Sequence, residues 1–194
     1  MMRRLSFLII CSLICFSVYS QNISNQVKFK EIPIKGHIDE MIGKIQSLGY
    51  LFEEKSEDGS IAIFSGNFAN ENCEIVLYAS PKTKIMHSVI VNFKKENSWH
   101  TLKSNYQRLK NQLTTKYNLT PKSNEFFVDP YYEGDGYEMQ ALKLGKCYYF
   151  STFNFDKGKI GLYIIEDKIQ LLYQDFEGYE INKKEENEKS YDDL

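Results

Sequence analysis

The chain has 194 residues, with 24 basic and 26 acidic side chains and a formal net charge of −2. A balance this close to neutral leaves no basic footprint for nucleic acid. The length suits one domain, or two small halves sharing a sheet, with a core that needs no metal or disulfide staples.

Met1-Met2-Arg3-Arg4 is followed by an apolar run from Leu5 to Val18 and then by Tyr19-Ser20. A charged start, a short apolar stretch and small-residue chemistry read as a signal peptide cleaved after Ser20, which places the protein in a secreted or periplasmic compartment. The run is too short for a comfortable membrane span and no other segment is a better candidate, so an integral membrane protein is not expected. Lipidation at Cys15 is disfavoured, because Ile14 stands where a small residue is required. Residues 21–26 form a polar leader.

Val27, Phe29 and Glu31 alternate with Lys28, Lys30 and Ile32 before Pro33, which reads as an edge strand. Ile38, Met41, Ile42, Ile45 and Leu48 recur at steps of three and four and predict a helix over His37–Leu48, stopped by Gly49. Four strands follow, about Tyr50–Lys55, Ile61–Phe68, Cys73–Ser80 and Ile85–Phe93, separated by hairpin-sized turn sequences.

Asn97 or Ser98 caps a second helix, in which Trp99, Leu102, Tyr106, Leu109, Leu113 and Tyr117 make one apolar stripe. Its wet side carries Lys103, Arg108, Lys110 and Lys116 without an acid. Leu119–Asp135 reads as an irregular aromatic insertion. A second meander is then expected over Tyr137–Leu144, Cys147–Phe155, Lys159–Ile165 and Ile169–Phe176, followed by a charged, fraying tail, 177–194.

The expectation is an α+β domain spanning 27–176. Two similar halves, 27–93 and 94–176, each supply a helix and a four-stranded antiparallel meander, giving about eight strands with two helices on one face. The layout resembles the tandem repeats of beta-lactamase-inhibitor-protein-like folds and of small outer-membrane assembly lipoproteins. Phe29-Lys30-Glu31-Ile32-Pro33-Ile34-Lys35-Gly36, Gly49-Tyr50 and the Trp99 helix look like uncharacterised small secreted proteins of gut Bacteroidetes. That resemblance implies no activity.

Chemistry is hard to find in this sequence. The three histidines, His37, His87 and His100, share no metal spacing, and there is no serine elbow or glycine-rich phosphate loop. No cofactor is indicated. Asp129, Glu133 and Asp135 fit either a solvated loop or a weak calcium site, without EF-hand spacing. Cys73 and Cys147 are either a disulfide or two buried thiols.

The strands are apolar in both phases, so two helices would leave one sheet face open. The leading expectation is therefore a non-catalytic binding module. Its open face, with Phe64, Val76, Tyr78, Met86 and Ile90, would meet a protein partner or a second copy of itself. The alternative is a small-ligand or glycan binder using the aromatic loop 126–137, with Phe126, Phe127, Tyr131 and Tyr132. A hydrolase without a recognisable motif is the third reading.

Overall fold

In the computed structural model, residues 26–192 are described. The expected signal peptide and nearly all of the leader lie outside the described residues. Among the described residues no helix is long and apolar enough to cross a membrane.

The fold is α+β. A small hairpin, β1 (Lys28–Phe29) and β2 (Ile32–Pro33), leads into helix α1 (Ile38–Ser47) and the meander β3 (Leu51–Lys55), β4 (Ile61–Phe68), β5 (Glu71–Ala79) and β6 (Met86–Lys95). Helix α2 (Trp99–Tyr117) precedes β7 (Lys122–Phe127), the short helix α3 (Glu138–Lys143), β8 (Cys147–Phe155), β9 (Gly158–Ile165) and β10 (Lys168–Asp175). Helix α4 (Phe176–Asp192) closes the chain. All eight strands β3–β10 join one antiparallel sheet in the order β3-β4-β5-β6-β10-β9-β8-β7. The last strand of each meander thus pairs with the other in the middle, with Val91 opposite Leu171 and Val89 opposite Tyr173.

Helices α1 and α2 start as their sequences dictate. The His37 side chain accepts a hydrogen bond from the Asp39 N–H, and Ser98 accepts one from the Thr101 N–H. Gly49 and Asn118 lie in the left-handed region where the helices stop. The two helices cover one face of the sheet. Asp39 of α1 binds Lys55, which shares a face with Ala62, while Trp99 and Tyr106 of α2 pack on Tyr149. The first hairpin fills the gap between them. Phe29 is fully buried, stacked on Phe68 and edge-on to Tyr173. It is therefore a core plug and not an edge strand of the main sheet.

Three further sequence expectations fail. Lys122–Phe127 is strand β7, not part of an irregular insertion. Its polar composition hides it, because it is an edge strand with few buried residues. Tyr137–Leu144 is not a strand: α3 occupies its place, burying adjacent Ala141 and Leu142 on one side of a helical turn. The tail, as far as it is described, does not fray: α4 continues from β10 and docks on the β5–β6 turn.

Phase assignment also fails in β4. The inner face, under α1 and α2, carries Ala62, Phe64, Ile75, Leu77, Val89 and Val91, while Ile61, Ile63, Val76, Tyr78 and Ile90 face outward. Because β4 is apolar in both phases, alternation alone could not choose. A bulge opposite Tyr78 and Ala79 further leaves His87 as the extra residue of β6. It breaks phase with Val89 and lies between the rings of Tyr78 and Tyr179 on the outer side.

Candidate functional site

The residues expected on an open sheet face do not stay together. Phe64 and Met86 are fully buried in the inner core and cannot touch a partner. Val76 faces outward but is only 5% exposed. Tyr78 and Ile90 are half-buried. What remains outside is a cross-strand row of aliphatic side chains, Ile63, Val76, Ile90 and Leu172, one from each of β4, β5, β6 and β10. The next row, Glu74, Asn92 and Gln170, is polar and bonded to itself: Gln170 donates to Asn92 and Asn92 to Glu74, both at 2.9 Å. Beyond it the Tyr163 ring lies over Gly161, where a side chain would collide with it, and stacks on Phe150. These neighbours shield much of the row.

The aromatic segment is better built. Phe126 lies outward on β7, stacked on Tyr148 at 5.2 Å, and both rings are exposed. Phe127 points the other way, edge-on to Trp99, and belongs to the core. The chain then leaves the sheet as a loop, 128–137, held at each step. The Val128 N–H donates to the Lys146 carbonyl at 2.8 Å, and the Tyr131 N–H to the Val128 carbonyl at 3.1 Å. The Asp135 carboxylate accepts from the Tyr132 N–H at 3.0 Å and from the Tyr137 N–H at 2.7 Å. Glu138 accepts from the Gly134 N–H at 2.8 Å.

Glu133 ties the loop to the body. Its carboxylate accepts from Lys103 of α2 and, at 3.2 Å, from the Tyr149 hydroxyl of β8. The Lys103 ammonium above all holds the Glu133 carboxyl below its ordinary range, and burial pushes the Tyr149 hydroxyl up. The Trp99 indole N–H lies buried nearby without a partner in hydrogen-bond geometry.

Two open clefts flank this loop. One, of about 400 Å³, has Trp99, His100, Lys103 and Gln107 of α2 on one side and Glu133 and Glu138 on the other. The second, of about 390 Å³, is walled by Pro130, Tyr131, Tyr132, Asp135, Tyr137 and Gln140. Tyr131 is half-buried and accepts a hydrogen bond from Gln140 at 3.3 Å, whereas Tyr132 and Tyr137 are 65% and 61% exposed. The sequence marks Tyr131, Tyr132 and the loop as far as Tyr137, but not Gln140 or Trp99, as parts of one place. Trp99 reads from the sequence as part of a core stripe, and Tyr137 as the start of a strand as well as the end of the loop; only the fold brings α2 and α3 together there.

The three loop acids do not converge on a cation position. Both Asp135 oxygens are bonded to backbone N–H groups and Glu133 is bonded to Lys103. Among the described residues no group of three His, Cys, Asp or Glu side chains is placed to hold a metal ion. Cys73 and Cys147 are free and buried, and burial pushes their thiols up to about 11 and about 12. They sit on β5 and β8, with β6, β10 and β9 between. At about 4.8 Å per strand that separation is far beyond disulfide reach.

The basic side of α2 is fully answered by acids from elsewhere. Lys103 pairs with Glu133, Arg108 with Glu71, Lys110 with Glu125 and Lys116 with Glu31. The chain matches no protein-family model, no curated protein and no solved structure.

Proposed function

We propose that the protein is a non-catalytic binding module of a secreted or periplasmic compartment, and that its ligand site is the aromatic loop 128–137 with α3. The compartment rests on the charged and apolar pattern of residues 1–20. The site rests on one observation: Tyr132 and Tyr137 both stand exposed in the lining of one cleft, while the Asp135 carboxylate holds the backbone of both. Tyrosine rings offer a large, rigid, amphipathic contact area, and a loop fixed in advance loses little entropy on binding. Tyrosine faces stack on the C–H faces of a sugar, while Gln140 and the tyrosine hydroxyls supply hydrogen bonds to its hydroxyl groups. A glycan or similar polyhydroxylated small ligand is the class that this chemistry suits.

The outer sheet face is the weaker candidate, because two of its five expected residues are in the core. The hydrolase reading is weaker still: His37 caps α1, His100 is exposed on α2, and His87, 2.9 Å from the Ser88 hydroxyl, is only 9% exposed.

The test is a glycan array probed with the wild type and with Tyr132→Ala/Tyr137→Ala. Binding that disappears in the double variant, with circular dichroism unchanged, supports the reading. Absence of any carbohydrate binding, or binding that the double variant keeps, overturns it.

A further inference from the structure

Helix α4 covers one end of the outer sheet face, yet its inward side is not apolar. The residues that it buries fully are Gly178, Asn182 and Glu185, spaced along one side, while Ile181 is only half-buried and Phe176 and Tyr179 stay 39% and 40% exposed. Gly178 lies so close to the Met86 carbonyl and the His87 backbone that no side chain would fit there. The Tyr179 ring meets His87 at 6.1 Å. The firm attachment is Glu185. Its carboxylate accepts from the Lys82 N–H at 2.6 Å, from the Thr83 hydroxyl at 2.6 Å and from the Thr83 N–H at 3.3 Å, all in the β5–β6 turn. A cleft of about 370 Å³ remains between α4 and the sheet, lined among others by Asp58, Tyr78, His87, Asn182 and Glu186.

A helix that buries no apolar stripe gains little from the hydrophobic effect, so its docking depends on charge-assisted hydrogen bonds. We propose that α4 is a releasable strap: acid undocks it while the sheet stays folded, uncovering the Tyr78–His87 end of the outer face beside the Ile63–Val76–Ile90–Leu172 row. In neutral solution the occupant of this end is α4 itself.

The signs of the titrating groups support acid release. Burial works to raise the Glu185 carboxyl, but the hydrogen bonds from Thr83 and Lys82 outweigh it and hold the group below its ordinary value. Its contribution to docking is therefore present above the free carboxyl value and lost as pH falls through the docked one. Burial also lowers His87, partly offset by Glu186, so docking keeps it neutral. Protonation as pH falls below its free value then favours the undocked state, where the ring regains water. Of the other charges here, Lys82 pairs with Glu188 at 3.2 Å, and Asp58 and Lys189 line the cleft with Glu186. Asp175 acts in the opposite sense. It accepts from the Gly178 N–H at 2.9 Å and burial pushes its carboxyl up, so a proton there favours the docked form. It ends β10 and caps the first turn of α4, which the strand tethers.

The experiment is hydrogen exchange on the full chain at neutral pH and at about pH 3, below the ordinary carboxyl range, corrected for intrinsic rates. The expected result is a loss of about tenfold or more in protection over Glu180–Lys189 at the lower pH, with β6 and β10 amides unchanged as the internal control for folding. Glu185→Gln should show the loosened helix already at neutral pH and a flattened acid response, while Glu188→Gln should behave as the wild type. Unchanged α4 protection in acid, loss only together with the sheet amides, or a wild-type acid response in Glu185→Gln would each overturn the proposal.

Discussion

The Tyr106 hydroxyl on α2 and the Ser151 hydroxyl on β8 lie 2.6 Å apart, buried where the second helix meets the sheet. Around this pair the polar groups are connected. Tyr106 also donates to Glu125 at 3.1 Å, Ser151 reaches Ser123 at 2.7 Å, and Glu125 is held by Lys110 at 2.6 Å and Gln107 at 3.2 Å. Burial drives the Tyr106 hydroxyl well above its ordinary value, so it stays protonated and can donate throughout the useful pH range. Removing the hydroxyl leaves Ser151 and Glu125 with other partners. Tyr106→Phe should therefore cost about 1 kcal/mol. Tyr106→Ala, which also empties a fully buried site, should cost about 3–5 kcal/mol. Urea unfolding of both variants checks the ratio, and equal losses would mean that the ring contributes nothing.

The ion pairs of α2 should rank by burial. Lys110 is 20% exposed and bonded to Glu125 at 2.6 Å, whereas Lys116 is 51% exposed and 3.5 Å from Glu31. Exposed pairs are worth about 0–1 kcal/mol and are screened by salt. Lys110→Ala should thus destabilise near the top of that range and Lys116→Ala near zero, read as shifts in thermal midpoint at low and high salt. The sequence alone suggests the opposite for Lys110, because its acid partner comes from β7, a strand that the sequence hides.

What the sequence reveals depends on whether an element buries a periodic apolar set. Leu102, Tyr106, Leu109 and Leu113 do so, and α2 is legible to its caps. Helix α4 buries Gly178, Asn182 and Glu185, a set with no apolar signature, and so it reads as a tail. Strand β7 buries little, and β4 is apolar in both phases, so the first vanishes and the second is turned over. The candidate site is half legible. Tyr131 and Tyr132 are conspicuous, but their union with Trp99, Tyr137 and Gln140 is a tertiary fact.

Leu109→Ala should lower stability by about 2–5 kcal/mol, since the side chain is buried in the core under α2. A differential scan against Lys110→Ala separates burial from charge. A smaller loss at Leu109 than at Lys110 would contradict the packing described here.

The cysteines should behave as inert thiols. Both are buried, and burial keeps them protonated at neutral pH. Iodoacetamide should label neither in the native protein within a time that labels both in denaturant, and reductant should leave the native mass unchanged. Rapid native labelling of Cys73 or Cys147 would show that β5 or β8 opens.

The loop should depend on one carboxylate. Asp135 accepts from the Tyr132 and Tyr137 N–H groups and is the clamp that sets the two exposed rings in relation to each other. Asp135→Ala removes both bonds without touching the core, because the loop is exposed and the sheet does not rest on it. Global stability should change by about 1 kcal/mol or less, in the range of a lost turn or capping hydrogen bond. Exchange of the Tyr132 and Tyr137 amides should quicken, while that of Val128, bonded to Lys146, should not. Asp135→Asn keeps one acceptor oxygen and should fall between the wild type and Asp135→Ala. If the rings bind a ligand through this fixed geometry, Asp135→Ala should weaken binding although it removes no ring. Faster amide exchange with unchanged affinity would separate the clamp from binding, and unchanged exchange would show that the carboxylate holds nothing.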